Sequence, residues 1–355
     1  MKKTIFISAG SSGGHIFPAI TLAKKLIELN HSVYFVATPS KIEGTILPAH
    51  GFEILAVTSP RVRKPFKGFI RFVLEILRSI KESRVHVKKF KPDMIISFGG
   101  SVSFSIGIVA FISRIPLFVH EQNAVLGLTN QWVSLFARKI FTQFDLKSRM
   151  FQHKMIQVGS PRTSEFKDYQ VNHNVYTSLN LDASKPLVVF VMGSLGSYTM
   201  QTMIKNMIEA YPNPSYQRLV ITGPRFYEEF KHLNDVSDQT IIVDAISLID
   251  LYPYINLLVT RSGATTMAEI LGARIPSILI PSPYVTRNHQ FMNSEYFLEH
   301  QASIVLDERK IDAHILMNQI DELMNHPQQL LAMRHNLESM SDLSELDRMM
   351  EHLPL

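Results

Sequence analysis

Cysteine is absent from the 355 residues, so neither a disulfide framework nor thiolate chemistry is available, and a reducing compartment fits. Long apolar runs are missing as well. The run Ile5 to Ile7, after Lys2 and Lys3, is far too short for a signal-peptide core. The stretch Ile106 to Ile112 stops at Ser113 and Arg114 and falls short of a bilayer span. The expected location is therefore the cytosol, with membrane contact left open. Charged residues make up 19% against 46% hydrophobic, a balance that excludes a disordered chain and predicts sizeable cores. No Walker A loop, G-x-G-x-x-G fingerprint or G-x-S-x-G elbow occurs, which argues against P-loop, hydride-transfer and Ser-His-Asp hydrolase chemistry. No spacing resembles a structural zinc site or an EF-hand, so no metal is expected.

What is present is length and asymmetry. A chain this long is about twice an ordinary domain, so two domains are expected. Residues 1–160 carry 22 Lys and Arg against 8 Asp and Glu, whereas residues 161–355 carry 14 against 23. Balances of +14 and −9 suggest halves that meet different partners. Short β-branched runs alternate with longer periodic segments, the pattern of βαβ units and parallel sheets. Strands are expected at Thr4–Ser8, Ser32–Ala37, Asp93–Ser97 and Ile115–Val119. The pattern restarts at Leu187–Met192, Arg218–Thr222, Thr240–Val243, Leu257–Val259 and Ser277–Ile280. Pro18–Leu29 reads as a helix with Pro18 close to its start, where proline is tolerated. The expected organisation is a Rossmann-like domain over 1–160 and a second over 161–335, joined around Val158–Glu165. A helical segment over 336–355 is expected to pack back on the first.

The first strand runs into Gly10, Ser11, Ser12, Gly13, Gly14 and His15, then a helix. Backbone N–H groups can approach phosphate or sugar oxygens there, although a plain tight turn accounts equally for the glycines. His15 is a candidate base or sugar ligand, and a histidine bonding local backbone is the plain alternative. Gly99, Gly100 and Ser101 follow the strand at Asp93–Ser97, and His120, Glu121, Gln122 and Asn123 follow the next. Both sets lie at C-terminal strand ends, where open α/β sheets bind ligands. Capping accounts for one or two of the polar side chains at 120–123 but hardly for all four.

The second half repeats the device. Met192–Ser197 follows a strand and opens a helix, and Arg261, Ser262 and Gly263 lead into Ala264–Glu269. Glu269, nearly two turns in, is placed to accept from both hydroxyls of a ribose unless it is an ordinary surface residue. Asn288, His289, Gln290 and, one turn on, Asn293 offer groups to sugar hydroxyls, with a polar helix start as the alternative.

Taken in order, these motifs resemble the MurG family of bacterial transferases, which move N-acetylglucosamine from UDP-GlcNAc to lipid I to give lipid II in peptidoglycan synthesis. The order is Gly13-Gly14-His15, Gly99-Gly100, His120–Asn123, Gly159-Ser160-Pro161-Arg162, Gly193–Gly196, Arg261–Glu269, then Asn288–Gln290 with Asn293. The likeness covers nearly the whole chain. It implies an α/β protein of the GT-B fold, two Rossmann-like doubly wound domains facing across a cleft. It also implies an inverting transfer from an α-linked donor to a β-1,4 linkage, and no cofactor is expected. By this likeness Ala264, Thr265, Thr266, Met267, Ala268 and Glu269 seat the nucleotide, with Glu269 on the ribose. Ser194 and Arg162 lie near the diphosphate, and Ile246 supplies a backbone contact to uracil. Gln290 and His289 contact the GlcNAc moiety, with Asn123 also at the donor. Ser12, Gly13 and Gly14 line the acceptor or diphosphate side. His15 is the expected base for the acceptor hydroxyl, with Glu121 in reserve.

The chain departs from the family pattern in places. Met192 precedes Gly193-Ser194 where the family has Gly-Gly-Ser, Ser101 stands at an aromatic position, the proline near Ser105 is absent, and Ser160 replaces Asn. These changes bear on loop geometry and acceptor fit, and none removes a presumed donor-contacting side chain. Two alternatives follow: another GT-B transferase acting on a lipid such as diacylglycerol, or an impaired sugar-nucleotide-binding scaffold.

Residues 59–91 hold 11 Lys and Arg and two acids, Glu75 and Glu82. Phe66, Phe69, Ile70, Val73, Leu77 and Ile80 recur there at helical spacing, with Lys67, Arg71, Arg78 and Lys81 between them. One reading is an amphipathic helix packed on the first sheet with a solvated basic face. The other is a patch that docks on an anionic membrane surface. The second suits an acceptor with a polyprenyl tail and places the chain at the cytoplasmic face of the cell membrane. Nucleic acid is not an expected partner, because stacking aromatics are lacking and the second half is acidic.

Overall fold

A computed structural model describes residues 1–60, 67–146, 150–191 and 198–355, the first three residues of the second span by backbone alone. They form two compact units, Met1–Glu165 with Leu343–Leu355, and Phe166–Asp342. The first runs β1 (Thr4–Ala9), α1 (Gly13–Glu28), β2 (Ser32–Ala37), α2 (Glu43–Ala49), β3 (Ile54–Ala56) and α3 (Lys67–Phe90). It continues with β4 (Met94–Gly99), α4 (Ser101–Ile112), β5 (Leu117–Glu121), α5 (Leu128–Ser134), β6 (Lys139–Thr142) and β7 (Met155–Gln157). The sheet is parallel, in the order β3-β2-β1-β4-β5-β6-β7.

Every residue of β4 and β5 is buried. Helices on both faces of a parallel sheet demand apolar side chains on both, so these strands read as continuous hydrophobic runs. The strands that sequence reasoning passed over are short: β3, β6 and β7 here, and Ser303–Val305 in the second unit. Three of them are sheet edges, where short strands limit unwanted pairing and leave little pattern to read. The start of α1 also needs correction. The helix begins at Gly13, so Pro18 lies inside it rather than at its first turn. The intrahelical bond that residue 18 would donate is missing there.

The second unit contains α6 (Asn174–Thr177), β8 (Leu187–Val191), α7 (Tyr198–Ala210), β9 (Gln217–Ile221), α8 (Tyr227–Phe230), β10 (Thr240–Val243) and α9 (Leu248–Leu251). After them come β11 (Leu257–Thr260), α10 (Ala264–Ala273), β12 (Ser277–Leu279), α11 (His289–Glu299), β13 (Ser303–Val305), α12 (Ala313–Asn325) and α13 (Pro327–Met340). Its parallel sheet has the order β10-β9-β8-β11-β12-β13. The chain then returns to the first unit as α14 (Glu345–Glu351), which places Leu346 and Met349 in that unit's core, with Leu353 just beyond. Burial of such side chains contributes about 1.5–3 kcal/mol each. Strand order reverses between β1 and β4 and between β8 and β11. Loops diverge at such switch points and leave room for a ligand at the carboxyl ends of the strands.

Candidate active site

In the first unit the loops after β1 and β4 meet at the switch point. The register slips at the end of β1, bringing Ala9 opposite Gly99. Gly100 has φ +93, and a Cβ added to it would lie 2.7 Å from the Gly10 carbonyl oxygen, so only glycine fits there. Ser103 of α4 secures the junction: its hydroxyl donates to Gly99 O at 2.8 Å and bonds Ser8 Oγ at 2.9 Å.

Ser12 is the N-cap residue of α1, with Gly13, Gly14 and His15 as the first helical positions. His15 Nδ1 lies 2.8 Å from Gly10 O and 3.0 Å from Ser12 Oγ. A carbonyl oxygen only accepts, so Nδ1 carries the proton in the neutral ring and Nε2 carries the basic lone pair. That is the tautomer a general base needs. Behind the loop stands Glu43, 1% exposed, whose Oε2 accepts from Ser11 N at 3.1 Å. Ser11 is held at φ +73, a left-handed conformation that costs energy for a side chain larger than glycine. Sequence reasoning missed Glu43, because a single acid at a helix start looks like an ordinary first-turn residue.

The cluster at 120–123 is corrected by its surroundings. His120, Glu121 and Gln122 are buried, and His120 and Glu121 belong to β5 rather than to the loop after it. His120 Nε2 donates to Gly159 O at 2.9 Å and Nδ1 accepts from Gln122 Nε2 at 3.2 Å. Burial pushes this imidazole down to about 4, so it is neutral. The Glu121 carboxylate accepts from Asn123 N (3.0 Å), Asn123 Nδ2 (3.1 Å), Gly127 N (2.8 Å) and Asn130 Nδ2 (2.8 Å). Four N–H donors fill its acceptor positions, so Glu121 organises the loop instead of serving as the reserve base. Half-buried Asn123 is the member of the set left nearest the surface. Arg162 pairs with Glu165 and stacks over Phe17 of α1 at 5.6 Å, beside the ring that a Cβ on Gly13 would touch.

In the second unit Ser194 lies outside the described residues. The segment before α10 is secured by Arg261, whose buried guanidinium donates to both Glu308 oxygens at 2.9 and 3.0 Å and to Ile280 O at 2.9 Å. Ser262 Oγ donates to Gln290 O at 2.7 Å, and Asn293 Nδ2 donates to Ser262 O at 3.0 Å. These bonds place the first turn of α11, with His289 and Gln290, beside the N-terminus of α10. Asn293 therefore has a structural task and is fully buried. Gln290 Oε1 accepts from Ser282 N at 2.8 Å, while Nε2 has no partner among the described residues. His289 Nδ1 donates to Thr286 O at 2.8 Å, which leaves the Nε2 lone pair outward in the neutral ring. Two consecutive left-handed residues, Arg287 (φ +58) and Asn288 (φ +52), precede α11. Such backbone persists where surrounding structure holds it.

Gly263 caps α10 in extended conformation, and Ala264, Met267 and Ala268 face inward while Thr265, Thr266 and Glu269 are half-buried. Thr265 Oγ1 is buried without a partner. Glu269 Oε2 accepts from Tyr252 OH at 2.9 Å, and Ile246 lies half-buried in the loop between β10 and α9. Among the described residues no group of His, Asp and Glu forms a metal cluster.

Two doubly wound parallel sheets, with small-residue loops and helix N-termini at the carboxyl ends of their strands, have the GT-B architecture. The chain belongs to glycosyltransferase family 28, whose N-terminal domain matches residues 5–142 and whose C-terminal domain matches 187–346. A relative from Thermoanaerobacter sp. (strain X514) is 32% identical over 96% of both chains. It is named UDP-N-acetylglucosamine--N-acetylmuramyl-(pentapeptide) pyrophosphoryl-undecaprenol N-acetylglucosamine transferase. A second so named, from Bacillus thuringiensis (strain Al Hakam), is 32% identical over 93% of each. The crystal structure of MurG from Acinetobacter baumannii superposes with a TM-score of 0.79 at 22% identity, covering 99% of both chains.

Proposed function

We propose that this chain transfers N-acetylglucosamine from UDP-GlcNAc to the muramyl 4-hydroxyl of lipid I, with inversion, giving lipid II. The observation that carries this reading is end-to-end likeness at 32% identity to relatives named for that transfer. Their named acceptor is a pyrophosphoryl-undecaprenol, not diacylglycerol. The local geometry supports a division of labour. His15 Nε2 takes the proton of the acceptor hydroxyl as it attacks the anomeric carbon, and UDP leaves. Arg162, Ser194 and the N-terminus of α10 at Ala264–Thr266 steady the diphosphate charge that develops on UDP. Met267 and Ala268 anchor α10 in its unit's interior, so that Glu269, already oriented by Tyr252, meets the ribose hydroxyls. Ile246 offers its backbone to the base. Gln290 Nε2 and His289 face the sugar, with Asn123 also at the donor, and Ser12, Gly13 and Gly14 line the acceptor or diphosphate side.

We also assign an anionic membrane surface as a partner. The stripe Ile70, Val73, Leu74 and Leu77 has the i, i+3, i+4, i+7 spacing of one helix face, and all four residues are exposed. The buried side of α3 is Ser79, Ser83 and Val87. Phe66 lies outside the described residues. Arg71, Arg78, Lys81, Arg84, Lys88 and Lys89 are exposed on the same helix. Phe111 and Ile112 at the end of α4, with Trp132 on α5, add exposed apolar area. No helix among the described residues is long and apolar enough to cross a membrane, so attachment would be peripheral. The deciding experiment is product formation from UDP-GlcNAc with a lipid I analogue and, in parallel, with diacylglycerol. Product from diacylglycerol alone would overturn the reading.

A further inference from the structure

A cavity of about 380 Å³ opens in the first unit where the chain leaves the carboxyl ends of β2 and β3, and no step of the transfer uses it. Its lining includes Thr38, Lys41, Thr58, Ser59, Arg78 and Glu82. Lys41 Nζ donates to Ser59 Oγ at 2.5 Å and to Ser101 Oγ at 3.2 Å, and the two hydroxyls also bond each other. An ammonium group has three donors, and the third has no partner among the described residues. Glu82 accepts from Thr58 N at 2.6 Å, Thr58 Oγ1 at 3.1 Å and Arg78 Nε at 2.8 Å, which leaves the terminal nitrogens of Arg78 for another acceptor. Ser101 follows Gly100, which packs on Gly10, and Gly10 O accepts from His15. The cavity and the base are thus tied through adjoining residues.

We infer that this cavity is the subsite for the peptide of the acceptor, with Lys41, assisted by Arg78, binding a peptide carboxylate. The assignment rests on the proposed function, since the relatives' named acceptor bears a pentapeptide. Charge selects the ligand class. Among the described lining residues two cations stand against one carboxylate, a net of one positive charge, which suits a single carboxylate. Threonine and serine hydroxyls serve amide groups, and Pro39, Ala56 and Val57 give apolar wall for side chains. Ser101 and Ser59 steady the Lys41 ammonium at the edge of the cavity.

The test uses two lipid I analogues that differ only in the peptide, one with free carboxylates and one with the same groups as primary amides. The wild-type chain should favour the free acid by about tenfold in kcat/KM, the effect of one charged contact. Lys41→Ala should reduce that preference to below about twofold, with the loss in acceptor KM rather than kcat, and Lys41→Arg should retain it. The UDP-GlcNAc KM and thermal midpoint of each variant report whether the fold is intact. If the wild type turns over both acceptors equally, or if Lys41→Ala keeps the full preference, the subsite is overturned and the transfer reading stands. Absence of product from either acceptor overturns both.

Discussion

His15 draws its chemistry from one short contact. The Gly10 carbonyl at 2.8 Å claims the Nδ1 proton, and Nε2 becomes the basic nitrogen. Its place at the end of a glycine-rich strand–helix turn was readable, with a local backbone bond as the plain alternative, and the contact to Gly10 O is such a bond. The role of Glu43 was not readable: one carboxylate 32 positions from Ser11 shows its purpose only when folding brings it to the Ser11 amide. We predict that His15→Ala lowers turnover with the lipid I analogue by about 10²–10⁴, the usual worth of a positioned base. Calorimetric titration should show UDP-GlcNAc binding retained. A fall of less than tenfold would move the base to another residue. The fate of 120–123 teaches the converse. Polar residues at a strand end suggested a ligand, yet His120 bonds Gly159 O and Gln122, and Glu121 accepts from the loop that follows.

Among the elements, α3 departs most from what periodicity implies. A 3.6-residue repeat shows that one stripe differs from the rest, but not which side of the helix the sheet occupies. Here the described part of the apolar stripe faces outward, and small residues Ser79 and Ser83 take the buried side, where α3 packs on α4. We predict that replacing Leu74 and Leu77 together by Ser weakens sedimentation with anionic vesicles at least tenfold. Insertion of two such side chains contributes a few kcal/mol. Neutral vesicles should bind the wild type less well, since basic residues near an anionic surface add about 1 kcal/mol each. Unchanged sedimentation of the double variant would reject α3 as the docking element. α10 offers the contrasting case. Its small residues and its glutamate were legible together, as the pattern of a helix N-terminus that an anion can approach closely.

On the scale of the molecule, the return of the chain as α14 ties its last residues to its first unit. Ser164 Oγ bonds Glu345 Oε2 at 3.2 Å and accepts from Leu346 N at 3.0 Å, and Gly159 at φ +83 leaves space for the Glu345 side chain. His120, which donates to Gly159 O, makes this region sensitive to acid. Burial lowers the folded-state value from 6.5 to about 4, so the unfolded chain takes the proton first. The stability held by the neutral ring is complete above pH 6.5 and is lost as the pH falls from 6.5 towards 4, by about 3 kcal/mol at full titration. We predict that urea midpoints of the first unit decline over this window and that His120→Gln flattens the decline. A wild-type midpoint independent of pH between 6.5 and 4 would contradict the buried, neutral assignment.

The central strands of both sheets and the glycine-rich loops were legible in the sequence alone, whereas the short strands, most of them at sheet edges, were not. Parallel strands buried on both faces must be apolar throughout, and loops that admit ligands or cross backbones must be small. Sequence also singled out Glu269 and His289–Gln290 as candidate donor contacts, with a surface residue and a polar helix start as the alternatives. Only tertiary structure decided which polar residues are spent internally. Glu121, Asn293 and Arg261 look like ligand groups in one dimension and are consumed by Asn130, Ser262 and Glu308 in three. It decided likewise that Lys41, Ser59 and Ser101, far apart in the chain, converge on one cavity. Hydrogen-bond satisfaction depends on distances of about 3 Å between residues that the chain order does not relate, so only the folded chain could reveal it.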